Sequence, residues 1–209
     1  MASTLTHRYT VNEIFYSLQG EGIRAGTANV FVRFSGCNME CDVEEGPKSP
    51  GGFRCDTEFV SSRKQSLDEL MQSILDIAPK SHRAAILTGG EPGLQITPEL
   101  LSMLRANQFY IAIETNGSIP LPDGIDWITV SPKVAEHAIR QRWAHEVKYV
   151  RGYGQAIPKT VVKADHYLIS PAFDGENVSQ RTLGWCIDLV KDNPPWRLSL
   201  QTHKFMRIR

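Results

Sequence analysis

Three of the four cysteines in this 209-residue chain, Cys37, Cys41 and Cys55, fall within nineteen positions, in the stretch GCNMECDVEEGPKSPGGFRCDTEF. Thiolates are soft ligands suited to iron–sulfur clusters and to zinc. Three of them with no obvious fourth partner can hold three irons of a [4Fe-4S] cube and leave the fourth iron open, as a catalytic metal position requires. The competing reading is a Cys3His zinc site, for which His82 or His203 would have to be recruited from far along the chain, because the spacing offers no nearby ligand pair. Cys186 stands apart, beside Trp185, Ile187 and Leu189 in a helical pattern, and reads as a buried free thiol.

The cysteines follow the first of seven short apolar runs, which predict buried strands: NVFVRFSG (29–36), AAILTGG (84–90), YIAIETNG (110–117), WITVSPK (127–133), HEVKYV (145–150), HYLISPA (166–172) and RLSLQTH (197–203). Helical patterns lie between several of them. Ser66 and Glu69 form a capping box before LMQSILDIA, Thr97-Pro98 sets a cap and first-turn proline before ELLSML, and NVSQRTLGWCIDLVKDN stops at Pro194-Pro195. Strands alternating with helices predict an α/β fold with a parallel sheet. A full eight-unit barrel typically needs about 250 residues. This chain, less an N-terminal arm (1–28) and a loop (42–54), leaves room for about six βα units, a truncated, open TIM-like partial barrel forming a single domain.

In such folds ligands bind where the carboxyl ends of the strands converge. Those ends read Cys37, Thr88-Gly89-Gly90-Glu91, Glu114-Thr115-Asn116, Ser131-Pro132-Lys133, Ser170-Pro171 and Gln201-Thr202-His203, so one rim collects them all. Any one of these groups alone is also an ordinary turn former. Lys plus Arg and Asp plus Glu number 23 each, a net charge of zero. That balance argues against nucleic acid or an anionic membrane as partner. No run approaches the roughly 18 apolar residues of a membrane span, and MASTLTHRYT lacks the apolar core of a secretory signal. The expected location is cytoplasmic, where cysteines serve as metal ligands, nucleophiles or core filler more often than as disulfides.

The cysteine cluster resembles that of the radical S-adenosylmethionine enzymes, whose signature is Cys-x3-Cys-x2-Cys. Cys37 and Cys41 match, whereas thirteen residues separate Cys41 from Cys55 where two are usual. The extra segment, DVEEGPKSPGGFR, is charged and rich in Pro and Gly and reads as a surface loop. Closing it costs on the order of 1.5 to 2 kcal/mol beyond the short spacing. Further segments, EIFYSLQGEG with Arg33 and GCN, then CDTEF, LTGGEP, IETNGS, VSPK and RLSLQTHKF, are together similar to the 7-carboxy-7-deazaguanine synthase family, from about Asn12 onward. Some members of that family also carry a lengthened loop inside the cysteine motif.

The resemblance implies a carbon–nitrogen lyase. A reduced [4Fe-4S] cluster cleaves S-adenosyl-L-methionine to a 5'-deoxyadenosyl radical, which takes hydrogen from C6 of 6-carboxy-5,6,7,8-tetrahydropterin. Radical ring contraction with loss of ammonia yields 7-carboxy-7-deazaguanine for queuosine and other 7-deazapurines. The chemistry is carried by the cofactors, with no protein residue implied as acid or base. Carried over position by position, the resemblance makes Cys37, Cys41 and Cys55 the cluster ligands and Thr57 a ligand of Mg2+, with a hydroxyl capping a turn as the plain alternative for Thr57. It places Gly90, Ser131, Pro132, Lys133, Ser170, Pro171, Ala172 and Phe173 on S-adenosylmethionine, with the match loosest at Ser170. It places Leu18, Gln19, Gly20, Arg33, Thr88 and Arg209 on the pterin, where a guanidinium fork suits the carboxylate and Gln19 the ring's amide edge. Glu114 and Asn116 are ribose or methionine partners or turn formers, Glu91 a contact or a structural anchor, and His203 a substrate contact or a satisfied rim histidine.

The resemblance also implies a homodimer and an electron donor such as flavodoxin. Two other functions remain at this stage. One is a radical enzyme that activates a glycyl-radical protein, sharing the cysteines and GGEP. The other is a zinc-stabilised binding module without catalysis.

Overall fold

The computed structural model describes residues 7–42, 44, 51–55 and 57–209. Residues 1–6 of the N-terminal arm, most of the inserted loop (43 and 45–50) and Asp56 lie outside the described residues. Among the described residues nine strands form one sheet: β1 (Tyr9–Leu18), β2 (Ala28–Phe34), β3 (Arg63–Gln65), β4 (Ala84–Gly89), β5 (Tyr110–Thr115), β6 (Trp127–Val130), β7 (Trp143–Arg151), β8 (Lys163–Pro171) and β9 (Trp196–Leu198). Their order is β3-β1-β2-β4-β5-β6-β7-β8-β9. Every pairing from β2 to β9 is parallel, while β1 runs antiparallel to both β2 and β3. With β3 and β9 at its two ends the sheet is open, as the partial-barrel expectation has it.

Among the described residues four α-helices accompany the sheet: α1 (Leu67–Ile77), α2 (Pro98–Ala106), α3 (Gln180–Asp192) and the short α4 (Thr202–Met206). Helices α1, α2 and α3 fill three crossovers. The connections after β5, β6 and β7 carry no α-helix, only a 3-10 turn at Glu136–Ala138, because those stretches lack an apolar stripe of helical period. The capping box is present, with Ser66 Oγ accepting from Glu69 N at 3.2 Å and Glu69 Oε2 from Ser66 N at 2.7 Å. It starts α1 so that Leu70, Met71 and Ile74 face the core. Ser66→Ala is expected to lower stability by about 1 kcal/mol and the melting temperature by about 2–4 °C, measured by thermal unfolding.

Strand alternation divides the side chains into two sets. Val30, Val32, Phe34, Leu87, Ile111, Ile113, Val130, Val147 and Ile169 pack with Leu70, Ile74, Leu100 and Leu104 of the helices. The opposite face carries Arg33, Thr88, Glu114, Thr129, Glu146 and Lys148, brought into line by the register Arg33↔Thr88, Glu114↔Thr129 and Thr129↔Glu146. Two expectations change. The run RLSLQTH leaves the sheet at Leu198, because Thr202 N and Oγ1 both donate to Gly20 O at 2.8 Å and draw the chain into α4. His203 is therefore helical. Cys186 on α3 is fully buried as expected, and burial pushes its thiol up to about 11, whereas Ile187 turns outward, 38% exposed.

Candidate active site

A cavity of about 170 Å³ opens at the carboxyl ends of the parallel strands. Cys37, Cys41 and Cys55 all open onto it, and all three are free thiols. The long spacing is closed by the backbone: Cys55 N donates to Cys41 O at 3.2 Å, so the chain returns to its start despite the insertion. Burial pushes the Cys37 and Cys41 thiols up; Glu91 and Cys55 add to the rise at Cys37, and Cys55 and Cys37 add to it at Cys41, where Lys133 opposes it. The histidines of the zinc alternative lie elsewhere. His82 Nε2 is 3.1 Å from Ala28 O, at the opposite end of β2 from Cys37, and His203 packs against Gly20. Among the described residues no group of three or more His, Cys, Asp or Glu is placed to hold a metal ion.

The loop carrying Cys37 is pinned to the end of β4. Gly90 N donates to Phe34 O and Glu91 N to Gly36 O, each at 3.0 Å. Gly89 has φ +119°, a region L side chains rarely adopt, and a Cβ on Gly90 would overlap the Gly36 carbonyl and lie 3.1 Å from Cys37 N. Glycine here lets two backbones touch. Gly90→Ala is expected to displace Cys37 and to reduce iron bound after anaerobic reconstitution to less than about half of wild type, a loss beyond the modest helix or strand effects of such a change. Full iron content would contradict that close packing.

Glu91 is the anchor of the rim, with no exposed surface. Its Oε1 accepts from Thr115 Oγ1 at 2.7 Å and Gly93 N at 2.8 Å, and its Oε2 from Asn116 N at 2.7 Å. The carboxylate thus ties the ends of β4 and β5 together, and it is not among the residues lining the cavity. Thr57, Thr88, Gly90, Ser131, Lys133, Ser170, Pro171, Ala172 and Phe173 all line it. Lys133 Nζ donates to Ser131 Oγ at 2.8 Å. Pro132 instead lines an adjoining cavity of about 220 Å³, which shares Lys133, Phe53 and Val150 with the first.

The residues expected on the pterin divide differently. Thr88 faces the cavity, but Leu18, Gln19, Gly20, Arg33 and Arg209 are outside its lining. Leu18 is 37% exposed at the end of β1. Gln19 is occupied within the chain, its Nε2 donating to Glu114 Oε1 at 2.7 Å and its Oε1 accepting from Glu21 N at 3.1 Å. Gly20 lies under His203, whose ring a Cβ there would overlap. Arg33 pairs through Nη1 with Glu13 and lies 5.5 Å from the Phe15 ring centroid. Its Nε is buried and has no acceptor among the described residues. Arg209 reaches Glu13 Oε2 at 3.1 Å, and its main-chain oxygen accepts from Ser17 Oγ at 2.6 Å.

Several cavity residues, Met39, Phe53, Arg54, Phe59, Val150 and the charged Lys148 among them, were not singled out in the sequence. Lys148 on β7 is buried and paired with Glu21. Burial alone would lower its pKa, but Glu21, Glu114 and Glu146 together hold it above the ordinary lysine value. The available signal was the alternation in HEVKYV, where Glu146 and Lys148 share the face opposite Val147 and Tyr149.

Fold and site together define an iron–sulfur protein: residues 18–139, more than half of the chain, match the family model described as a 4Fe-4S single cluster domain. The chain is 41% identical to the 7-carboxy-7-deazaguanine synthase of Bradyrhizobium diazoefficiens and 40% identical to that of Burkholderia multivorans. In both cases the match covers 96% of this chain and 99% of the relative. It also superimposes on the crystal structure of QueE from Escherichia coli with a TM-score of 0.64 at 25% identity, over 94% of this chain and 95% of that one. The chain belongs to the 7-carboxy-7-deazaguanine synthase family.

Proposed function

We propose that this chain converts 6-carboxy-5,6,7,8-tetrahydropterin to 7-carboxy-7-deazaguanine with loss of ammonia, as a radical S-adenosylmethionine enzyme of 7-deazapurine biosynthesis. The observation that carries the reading is the meeting of three free thiols with five strand ends around one cavity. Cys37, Cys41 and Cys55 fit a [4Fe-4S] cluster: each thiolate binds a different iron, so the three need share only a rim, and no fourth thiolate competes for the open position. When bound, the reduced cluster and S-adenosylmethionine supply the radical that takes hydrogen from the substrate. The chain's own groups bind, orient and keep water out.

Gly90, Ser131, Lys133 and the segment Ser170, Pro171, Ala172 and Phe173 are positioned for S-adenosylmethionine, with Pro132 shaping the adjoining space. Thr57 offers a hydroxyl oxygen beside the cysteines, suited to Mg2+ shared with a substrate carboxylate and waters. Arg33, paired with Glu13 and outside the lining of the cavity, would meet the pterin carboxylate only where that carboxylate reaches beyond the cavity. Glu13 holds one edge of its guanidinium, and the buried Nε edge has no acceptor among the described residues. Gln19 is placed to set Glu114 rather than to touch the ring, and Leu18 and Gly20 support that segment. A homodimer, an electron donor such as flavodoxin and a cytoplasmic location complete the proposal. Among the described residues, no helix is long and apolar enough to cross a membrane.

The test is anaerobic reconstitution followed by a product assay with reductant, S-adenosylmethionine, Mg2+ and the carboxytetrahydropterin. The expected result is a brown protein with about four irons per chain that releases ammonia and the ring-contracted acid. A colourless protein holding one zinc, or a brown one that gives no such product, would overturn the reading.

A further inference from the structure

Beneath the cavity the sheet carries more charge than the proposed cluster and S-adenosylmethionine contacts employ. The ammonium of Lys148 pairs with the carboxylate of Glu21, and the two side chains are only 6% and 15% exposed. Gln201 holds Glu21 from the C-terminal segment, its Nε2 donating to Glu21 Oε1 at 3.0 Å. Gln19 bridges Glu114 Oε1 and Glu21 N, so a single amide sets the placement of two glutamates. Glu21, Glu114 and Lys148 all line the cavity. Glu146, on the same face of β7, has a structural task, accepting from Thr129 Oγ1 and Ile23 N at 2.8 Å each.

A buried ion pair is a poor source of stability, since desolvation offsets most of its Coulombic attraction. A buried glutamate without a cation beside it takes up a proton instead of staying charged. We propose that Lys148 is a positioning residue, holding Glu21 ionised and fixed beside Glu114 so that the cavity floor presents carboxylate acceptors to an N–H-rich ring edge, that of a 2-aminopyrimidin-4-one. The inference rests on the pterin reading above. The 2-amino group and the adjacent ring N–H of such a ring lie in one plane and match a carboxylate as one edge of a guanidinium does, in two parallel hydrogen bonds. A ring bearing a 2-oxo group in place of the amine sets oxygen against oxygen in a desolvated site, which a site built for hydrogen bonding rejects strongly.

The experiment measures anaerobic equilibrium binding of 6-carboxytetrahydropterin and of its 2-oxo counterpart to the reconstituted enzyme, with S-adenosylmethionine binding measured in parallel. Wild type is expected to favour the amino ring by about a hundredfold or more. Lys148→Met is expected to lose most of that preference while S-adenosylmethionine affinity stays within about twofold. Lys148→Arg, which keeps the charge, is expected to restore the preference to within about tenfold of wild type. If Lys148→Met does not fold, Glu21→Gln, which exchanges one acceptor for an amide of equal size, is expected to lose the preference with Lys148 in place. An undiminished preference in Glu21→Gln, or in folded Lys148→Met, overturns the inference. Failure of cluster-loaded wild type to bind either ring overturns instead the functional reading beneath it.

Discussion

Cys55→Ala is expected to leave an intact fold that takes up no stable cubane and turns over at less than about one thousandth of the wild-type rate, a loss above about 4 kcal/mol at roughly 1.4 kcal/mol per decade. Cys55 is exposed, so its side chain adds little to packing. Its main-chain bond to Cys41 O survives the substitution. Two thiolates cannot hold three corners of a cluster, and the remaining irons become labile. The checks are iron content, charge-transfer absorption and product formation after identical reconstitution, with thermal unfolding of the metal-free proteins compared. Turnover near the wild-type value would show that the third ligand is another residue and that the insertion does not close where Cys55 meets Cys41.

Glu91→Ala is expected to have the largest effect on stability, about 3–4 kcal/mol, because three donors lose their acceptor at once and each group left unsatisfied costs about 1–3 kcal/mol, offset in part by water entering the vacated space. At about 2–4 °C per kcal/mol for a chain of this size, the melting temperature falls by roughly 6–15 °C. Iron uptake should fall with it, since Glu91 ties the ends of β4 and β5 and its own N–H holds Gly36 beside Cys37. Glu91→Gln keeps the shape but turns an N–H toward one of the three donors, so about half of the loss is expected.

The pH dependence has a definite sign. Burial holds the Glu91 carboxyl above its ordinary value of 4.5, against the pull of its three donors. A raised carboxyl contributes stability that is complete below the unfolded value and is lost as pH rises through the folded one. Wild type should therefore lose a little stability above about pH 4.5 in that window, and Glu91→Gln should not. Identical pH profiles for the two proteins would count against a raised carboxyl.

Much of this was legible in advance because it depends on local pattern. The capping box at Ser66 and Glu69, the cap at Thr97, and the strands at 84–90 and 110–117 appear within a residue or two of where the apolar period and cap residues put them. The thiol cluster was legible as well, since two of its members are close in sequence and the third follows a loop of evident turn composition. Gln19 and Arg33 were harder. Their types suit a ligand, but Glu114 and Glu13 already engage them, and residue type does not reveal a partner 95 or 20 positions away. Lys148 was missed for the same reason. Its alternation with Val147 and Tyr149 marks a face of β7, whereas the carboxylate that makes its burial tolerable is 127 positions distant.

The amino-acid order alone determined the parallel α/β plan, the rim of strand ends and the sulfur trio, because periodicity, caps and ligand chemistry act over a few residues. Only the folded chain decided which charged groups neutralise one another beneath that rim and which remain to meet a ligand. Electrostatic pairing and desolvation depend on separation in space, and register and crossover, rather than neighbours in sequence, set that separation.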